Sequence, residues 1–282
     1  MPKTFAAICG LCPHCCRILP GEAGYCRARG LPKDAAGNVV SLSYGKLTSI
    51  ALDPIEKKPL YHFHPGSMIL SVGSFGCNLS CPWCQNSYIS TIGVHEAETH
   101  DVAPETLALM AERYISEGNI GVAFTYNEPL INFEYVRDAS RILKECGLKS
   151  VLVTNGYLNT EYFDEILPLI DAMNIDLKGI SREFYKKIGG DIETVRQNIR
   201  TAASRCHLEV TCLLINGEND GEREMEEMTD FITSVSSEIP LHISRFFPRH
   251  KMKNSAPTRI ESMKKFEQIA KSKLKYVYLG NV

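Results

Sequence analysis

Residues Gly76-Cys77-Asn78-Leu79-Ser80-Cys81-Pro82-Trp83-Cys84-Gln85-Asn86 carry three cysteines at C-x3-C-x2-C spacing, directly behind the short apolar run Met68–Val72. A run of that length between turn residues reads as a strand covered on both faces. The cysteines therefore stand on the loop that leaves a first strand. From Ser67 onward the same texture repeats. Strands near Met68–Val72, Ile120–Thr125, Lys149–Thr154, Ala172–Asp176, Leu208–Leu214 and Leu241–Arg245 alternate with amphipathic helical patterns. The helices are predicted over Pro104–Glu117, Ile131–Cys146, Glu161–Ile170, Asp191–Ser204, Gly221–Ser236 and Thr258–Ser272. Pro104 opens the first and Gly147 closes the second, as the capping rules require. Six β–α units in succession predict a parallel sheet with right-handed crossovers. Six falls short of the eight of a complete barrel. The predicted class is α/β, a partial, open (β/α)6 barrel of TIM-like form over residues 67–282, with its chemistry at the C-terminal strand ends. Residues 1–66 read as an irregular, Cys-rich N-terminal extension, in which Val39–Tyr44 and Leu47–Leu52 predict a small hairpin.

The 282 residues suffice for a sizeable core. Hydrophobic residues at 44% and charged residues at 23% exclude disordered, collagen-like and coiled-coil chains. Thirty-one Lys+Arg against 33 Asp+Glu leave a formal charge of −2, and the pI near 6.5 argues against a dedicated nucleic-acid binder. No apolar run reaches membrane-helix length, and Met1–Gly10 lacks a basic segment followed by an apolar stretch. These features predict a cytoplasmic protein with neither membrane nor nucleic acid among its partners.

Eleven cysteines, an odd number, fall mostly into two clusters, one at Cys9, Cys12, Cys15, Cys16 and Cys26 and one at Cys77, Cys81 and Cys84. Tight C-x2-C spacing without a secretory signal fits metal ligation better than disulfides. Cys146, Cys206 and Cys212 lie in apolar periodic segments and read as small hydrophobes. Three thiolates at Cys77, Cys81 and Cys84 can each hold one iron of a [4Fe–4S] cube, leaving the fourth iron open. The alternative is a structural zinc knuckle. Cys9, Cys12, Cys15 and Cys26 provide four thiolates for a tetrahedral zinc or an auxiliary iron–sulfur cluster, with Cys16 and His14 as spare ligands. A metal there would hold together a segment with little core of its own.

The C-x3-C-x2-C motif, with Trp83 just before its last cysteine, resembles the signature of the radical S-adenosylmethionine (SAM) superfamily. The resemblance implies a barrel of the radical SAM type and a cluster whose open iron is chelated by SAM. One electron from the cluster then cleaves the C5′–S bond, giving methionine and a 5′-deoxyadenosyl radical that takes a hydrogen atom from substrate. It implies as well a low-potential electron donor, a flavodoxin or a ferredoxin. Several strand-end residues match the family's SAM contacts. Trp83 lies in the cluster loop. In Thr125-Tyr126-Asn127-Glu128-Pro129, Glu128 matches the acid that meets the cofactor's amino group and Asn127 takes a glycine's position. A helix cap is the alternative role for Glu128. Thr154-Asn155-Gly156 and Asp176-Leu177-Lys178 match turns of pyruvate formate-lyase activating enzymes, although Val153 stands where those carry Asp. Alternation puts Asp176 and Lys178 on one face, toward cofactor or in a salt bridge with each other. His250, in Pro248-Arg249-His250, matches a segment that approaches the cofactor, while the basic run Arg249–Lys253 reads as a solvated loop.

Cys9-x2-Cys12-x2-Cys15, with Asp53-Pro-Ile-Glu-Lys-Lys-Pro-Leu-Tyr61-His-Phe and Pro65-Gly66-Ser67, resembles the radical enzymes of the AmmeMemoRadiSam system, themselves similar to those activating enzymes. The chain departs from these relatives in ending at Val282, where they run on into a short tail, and in having His250 where many carry an aromatic. The resemblance leaves two substrate classes, a protein glycine or a molecule linked to Memo-like and AMMECR-type companions. A non-catalytic zinc or iron–sulfur scaffold is the reading from a different class.

Overall fold

The computed structural model describes residues 6–33 and 37–282; residues 1–5, part of the segment read for a leader, and 34–36 lie outside the described residues. Eight strands form the main sheet: β1 (Ser49–Pro54), β2 (Met68–Gly73), β3 (Asn119–Phe124), β4 (Lys149–Thr154), β5 (Ala172–Asp176), β6 (His207–Leu214), β7 (Leu241–Arg245) and β8 (Val277–Gly280). Their order in the sheet is that of the chain, from β1 at one edge to β8 at the other. Strands β2 to β8 pair in parallel, and β1 pairs antiparallel with β2. A sheet that grows at one edge only, with helices between its strands, winds toward a barrel, and its two ends remain unpaired. All six predicted strands and all six predicted helices are present. Beyond a single turn at Ser87–Ser90, the helices are α1 (Pro104–Arg113), α2 (Phe133–Glu145), α3 (Thr160–Ile166), then, after the short α4 (Arg182–Lys187), α5 (Ile192–Ala203), α6 (Glu222–Val235) and α7 (Ile260–Lys271).

The predicted hairpin is not formed. Val40–Ser41 pairs with Arg29–Gly30, Lys46–Leu47 pairs with His100–Asp101, and β1 is the edge strand beside β2. Its alternating pattern signals a half-buried strand, but the partner lies after a 13-residue connection and not across a turn. Residues 49–54 of the extension thus belong to the main sheet. β8, α4, the one-turn helix Ser87–Ser90 and the strand pair Ala7–Ile8 with Arg17–Ile18 are also absent from the sequence reading.

The connection from β1 to β2 closes the N-terminal mouth of the barrel. Ile55 and Leu60 bury themselves against Ile69, Ala123, Val151 and Ala172 of β2 to β5. Beyond them, the amides of Tyr61 and His62 donate to the buried Glu209 carboxylate of β6 at 3.0 and 2.7 Å. His207 and His242 hold the same carboxylate at 2.9 and 2.6 Å. His62 Nε2 also meets Tyr278 Oη of β8 at 2.6 Å, so this connection bridges the gap between the sheet's unpaired edges.

Burial alone would raise the pKa of Glu209, but hydrogen bonds from His207, His242 and the two amides outweigh it and hold the group at about 2, against an ordinary 4.5. A depressed carboxylate stabilises the fold above its unfolded pKa, and that stability is lost as pH falls through the folded value. The difference of 4.5 − 2 units corresponds to about 3 kcal/mol in all, of which about 2 should be gone by pH 3. Denaturant titrations from pH 6 to pH 3 should show this acid loss in the native protein and a correspondingly smaller one in Glu209→Gln.

Candidate active site

The loop leaving β2 is held from three sides. From the end of β3, Asn127 Oδ1 accepts from Ser74 N at 2.9 Å, and its Nδ2 donates to the carbonyls of Phe75 and Gly76 at 3.1 and 3.2 Å. The side chain predicted to touch cofactor is thus spent on aiming the backbone that enters Cys77. Gly76 has φ +82°, and a Cβ there would stand 2.3 Å from the Cys26 carbonyl, so only glycine lets the N-terminal extension lie against this loop. From the end of β4, Asn155 Nδ2 donates to Asn78 Oδ1 at 2.9 Å and faces Cys77 Sγ at 3.7 Å. From the extension, His14 Nε2 meets Asn78 O at 2.8 Å and Tyr25 Oη donates to Ser80 Oγ at 2.8 Å.

Glu128 is buried and fills the helix-cap role. One oxygen accepts from Leu130 N at 3.0 Å, capping the one-turn helix Pro129–Asn132, and from Thr154 Oγ1 at 2.7 Å. The other accepts from Asn155 N at 2.8 Å. Burial raises its pKa to about 7, and the hydrogen bonds from Asn155, Thr154 and Leu130 offset this only in part. Lys178 acts on it only through space and no cation is bonded to it, so the ionised carboxylate favours a positively charged ligand group.

Asp176 and Lys178 form the salt bridge weighed as their alternative, Nζ to Oδ2 at 3.1 Å. Burial would lower the Lys178 pKa, but Asp176 and the neighbouring Cys81 raise it well above the ordinary lysine value. Lys178 is therefore a fixed cation beside the cluster loop. Trp83 is buried against Phe184, ring centroids 5.4 Å apart, and shapes the loop from behind. His250 opens a one-turn helix whose next residue, Lys251, donates its amide to Pro82 O at 2.9 Å, which places the histidine beside the cluster loop. Partial burial, then Lys251 and Lys253, lower its pKa.

A set missed in the sequence joins β1 to β3. Tyr126 Oη donates to Asp53 at 2.8 Å, Lys58 Nζ donates to the same carboxylate at 2.9 Å, and Lys58 lies 5.0 Å from the Tyr126 ring. Tyr126 has φ +70°, a conformation that favours glycine. The signal was available, since Tyr126 immediately precedes the Asn127-Glu128 pair and Asp53 and Lys58 stand in the quoted N-terminal motif.

With this geometry described, the match to known families is informative: residues 71–232, from within β2 to within α6, match the model of the radical SAM superfamily. The chain belongs to the radical SAM superfamily. It is 38% identical to an uncharacterized protein of Methanocaldococcus jannaschii, over 97% of this chain and 81% of the relative. It is 28% identical to pyruvate formate-lyase 1-activating enzyme of Escherichia coli over 41% of this chain, a match that spans about half of that enzyme, 47%. Its fold is similar to a radical SAM methyltransferase of Sphaerobacter thermophilus, with TM-score 0.57 and 16% identity over 77% of this chain and 67% of the other.

Membership implies a [4Fe–4S] cluster and SAM, and the residues present fit them. Cys77, Cys81 and Cys84 are free thiols. Burial raises the Cys77 thiol well above its ordinary pKa, and Glu128 and Cys81 add to this. Burial pushes Cys81 to about 11, with Lys178 opposing and Cys84 adding. Cys77 and Cys81, each raised further by its neighbour's negative charge, ionise more readily beside a cationic partner, which iron supplies. Among the described residues, no three His, Cys, Asp or Glu side chains are placed to share a single metal ion. The extension's four predicted ligands are not gathered as one set. Cys9, Cys12 and Cys26 are buried within electrostatic reach of one another, whereas Cys15 is exposed with its Sγ turned to Cys12 O.

Proposed function

We propose that this radical SAM enzyme is an oxidoreductase that removes a hydrogen atom from a protein glycine, in the manner suggested by the activating enzymes it resembles. When bound, the cluster and SAM supply one-electron cleavage of the sulfonium and a hydrogen-abstracting radical. The observation that carries the reading is the single network joining Glu128, Thr154, Asn155, Asn78 and Cys77, which ties two strand ends to the cluster loop. In this reading Cys77, Cys81 and Cys84 hold the three irons, and Glu128 accepts the cofactor's ammonium. Asn155 fixes the loop, and Lys178 balances thiolate charge or meets the cofactor's carboxylate. Asn127 and Trp83 position that loop. Thr154 orients Glu128, while Asp176 and His250 line the approach. Val153, where activating enzymes carry Asp, favours a substrate particular to this branch, and the Memo-like and AMMECR-type companions are its candidate source.

The substrate class is tested by incubating the anaerobic, reduced enzyme and SAM with cell protein labelled with [2,2-²H₂]glycine. Deuterium should appear in 5′-deoxyadenosine. Deuterium arriving only from a labelled small-molecule fraction would replace glycine as the substrate class.

The N-terminal extension, residues 1–66, is proposed to draw Cys9, Cys12 and Cys26, with Cys15 or Cys16, together onto a structural metal centre when the metal binds, as zinc or a second iron–sulfur cluster. Free thiols at all eleven cysteines suit a reducing compartment, which supports a cytoplasmic location. Cys12→Ala should lose this metal and lower the thermal midpoint, because the centre's binding energy is folding energy for the extension. Cys15→Ala should leave the midpoint within a few degrees of native if Cys16 completes the site. Thermal melts with metal analysis of both variants check this.

A further inference from the structure

From Arg245 to Ile260 the chain carries five cations, Arg245, Arg249, Lys251, Lys253 and Arg259, and no acidic residue. Among the described residues none of the five forms an ion pair. On the neighbouring loop and helix, Glu218 and Glu222 are taken by Lys187 and Lys265, and Asp220, which lines a cleft with Arg259, accepts from Gly217 N and pairs with none of the five. Like charges gathered on one short loop repel, and the arrangement is favourable only toward an external anionic surface. The loop's place narrows the choice of that surface. Lys251 N donates to Pro82 O at 2.9 Å, and Pro82 lies between Cys81 and Cys84. Arg249, Lys251 and Lys253 are exposed on the loop that this bond holds against the cluster loop, and Phe247, 43% exposed, lies on the same loop. Aromatic and arginine side chains together are the usual composition of a protein interface.

We propose that the Phe247–Lys253 loop is the docking surface for an acidic, low-potential electron-carrier protein, seated where its electron has the shortest path to the cluster thiolates. The proposal rests on the radical SAM reading, since only a protein that must be reduced at this loop has use for such a partner there. A one-electron carrier gives one electron to the enzyme's cluster and leaves oxidised by one electron, so no further reactant is needed. Cationic steering sets how fast the carrier arrives, and salt screens it.

The test compares two reductants. In the variant R249E/K251E/K253E, the Lys251 amide bond to Pro82 is retained, because it is made by backbone. Formation of 5′-deoxyadenosine driven by flavodoxin hydroquinone should fall about ten-fold or more at low ionic strength and lose most of its salt dependence. Turnover driven by dithionite, which needs no docking, should equal that of the native enzyme. An unchanged flavodoxin-driven rate would overturn the proposal and point to an acidic protein substrate as the surface's partner. An equal loss with both reductants would overturn it by assigning the loop to cofactor binding. A native protein inert with dithionite would remove the enzyme reading itself, and the docking surface with it.

Discussion

Cys81→Ala should form no 5′-deoxyadenosine above background, in an anaerobic assay where the native protein turns over. Cys81 is the middle thiol of the three, it lies within electrostatic reach of both Cys84 and Lys178, and Cys77 feels its charge in turn. Removing it leaves two thiols for four irons, and the cluster should be lost or bound incompletely. The effect should be chemical and not structural. Cys81 is only partly buried, and the one backbone group that meets its Sγ is its own amide. The variant should therefore keep its thermal midpoint within a few degrees of native, ligand-free protein while its iron content falls by about four per chain. Iron retained at native levels, or persistent cleavage of SAM, would mean that these three cysteines do not hold the cluster.

Glu128→Ala is expected to have the second-largest effect, with two separable parts. The first is structural: Leu130 N, Thr154 Oγ1 and Asn155 N would each lose a buried acceptor, at a combined cost of roughly 2–4 kcal/mol. The second is a loss of SAM affinity of at least about ten-fold, through removal of a buried carboxylate beside the cluster loop that an ammonium could meet. Glu128→Gln separates the two. It keeps the oxygen that accepts from Leu130 and Thr154, carries no charge, and gives up only the bond from Asn155 N, whose donor then faces the new amide nitrogen. Because the native carboxyl titrates near 7, above its ordinary 4.5, the stability tied to its protonated form is present below pH 4.5 and lost as pH rises through 7. The Gln variant without ligand should thus fare relatively better at pH 8 than at pH 5, while binding SAM weakly at both. Native affinity for SAM in Glu128→Gln would leave Glu128 as a helix cap alone.

How much of this was legible without coordinates depended on the range of the interaction that decides each feature. Short apolar runs and helical periodicity revealed six β–α units, because burial on both faces of a parallel sheet leaves a local signature. β1 was misassigned to a hairpin, since its pattern marks a strand without naming the partner, and β2 is distant along the chain. The four residues of β8 are too short for periodicity to mark. Among site residues, Cys77, Cys81 and Cys84 were plain from spacing. The bonds that Glu128 accepts from another strand end and the amide clamp of Asn127 were not, because hydrogen bonds from Thr154, Asn155 and Ser74 arrive from segments 26, 27 and 53 residues away. The same holds for the buried Glu209, whose four donors come from three separate segments.

The measurement that tests the central claim most directly is an anaerobic reconstitution with iron and sulfide, followed by metal analysis, reduction with dithionite and assay of SAM for 5′-deoxyadenosine. The account predicts product together with about four irons per chain and one zinc, or about eight irons if the extension holds a second cluster. Zinc alone, with no product, would contradict it and leave a metal-binding scaffold in place of an enzyme.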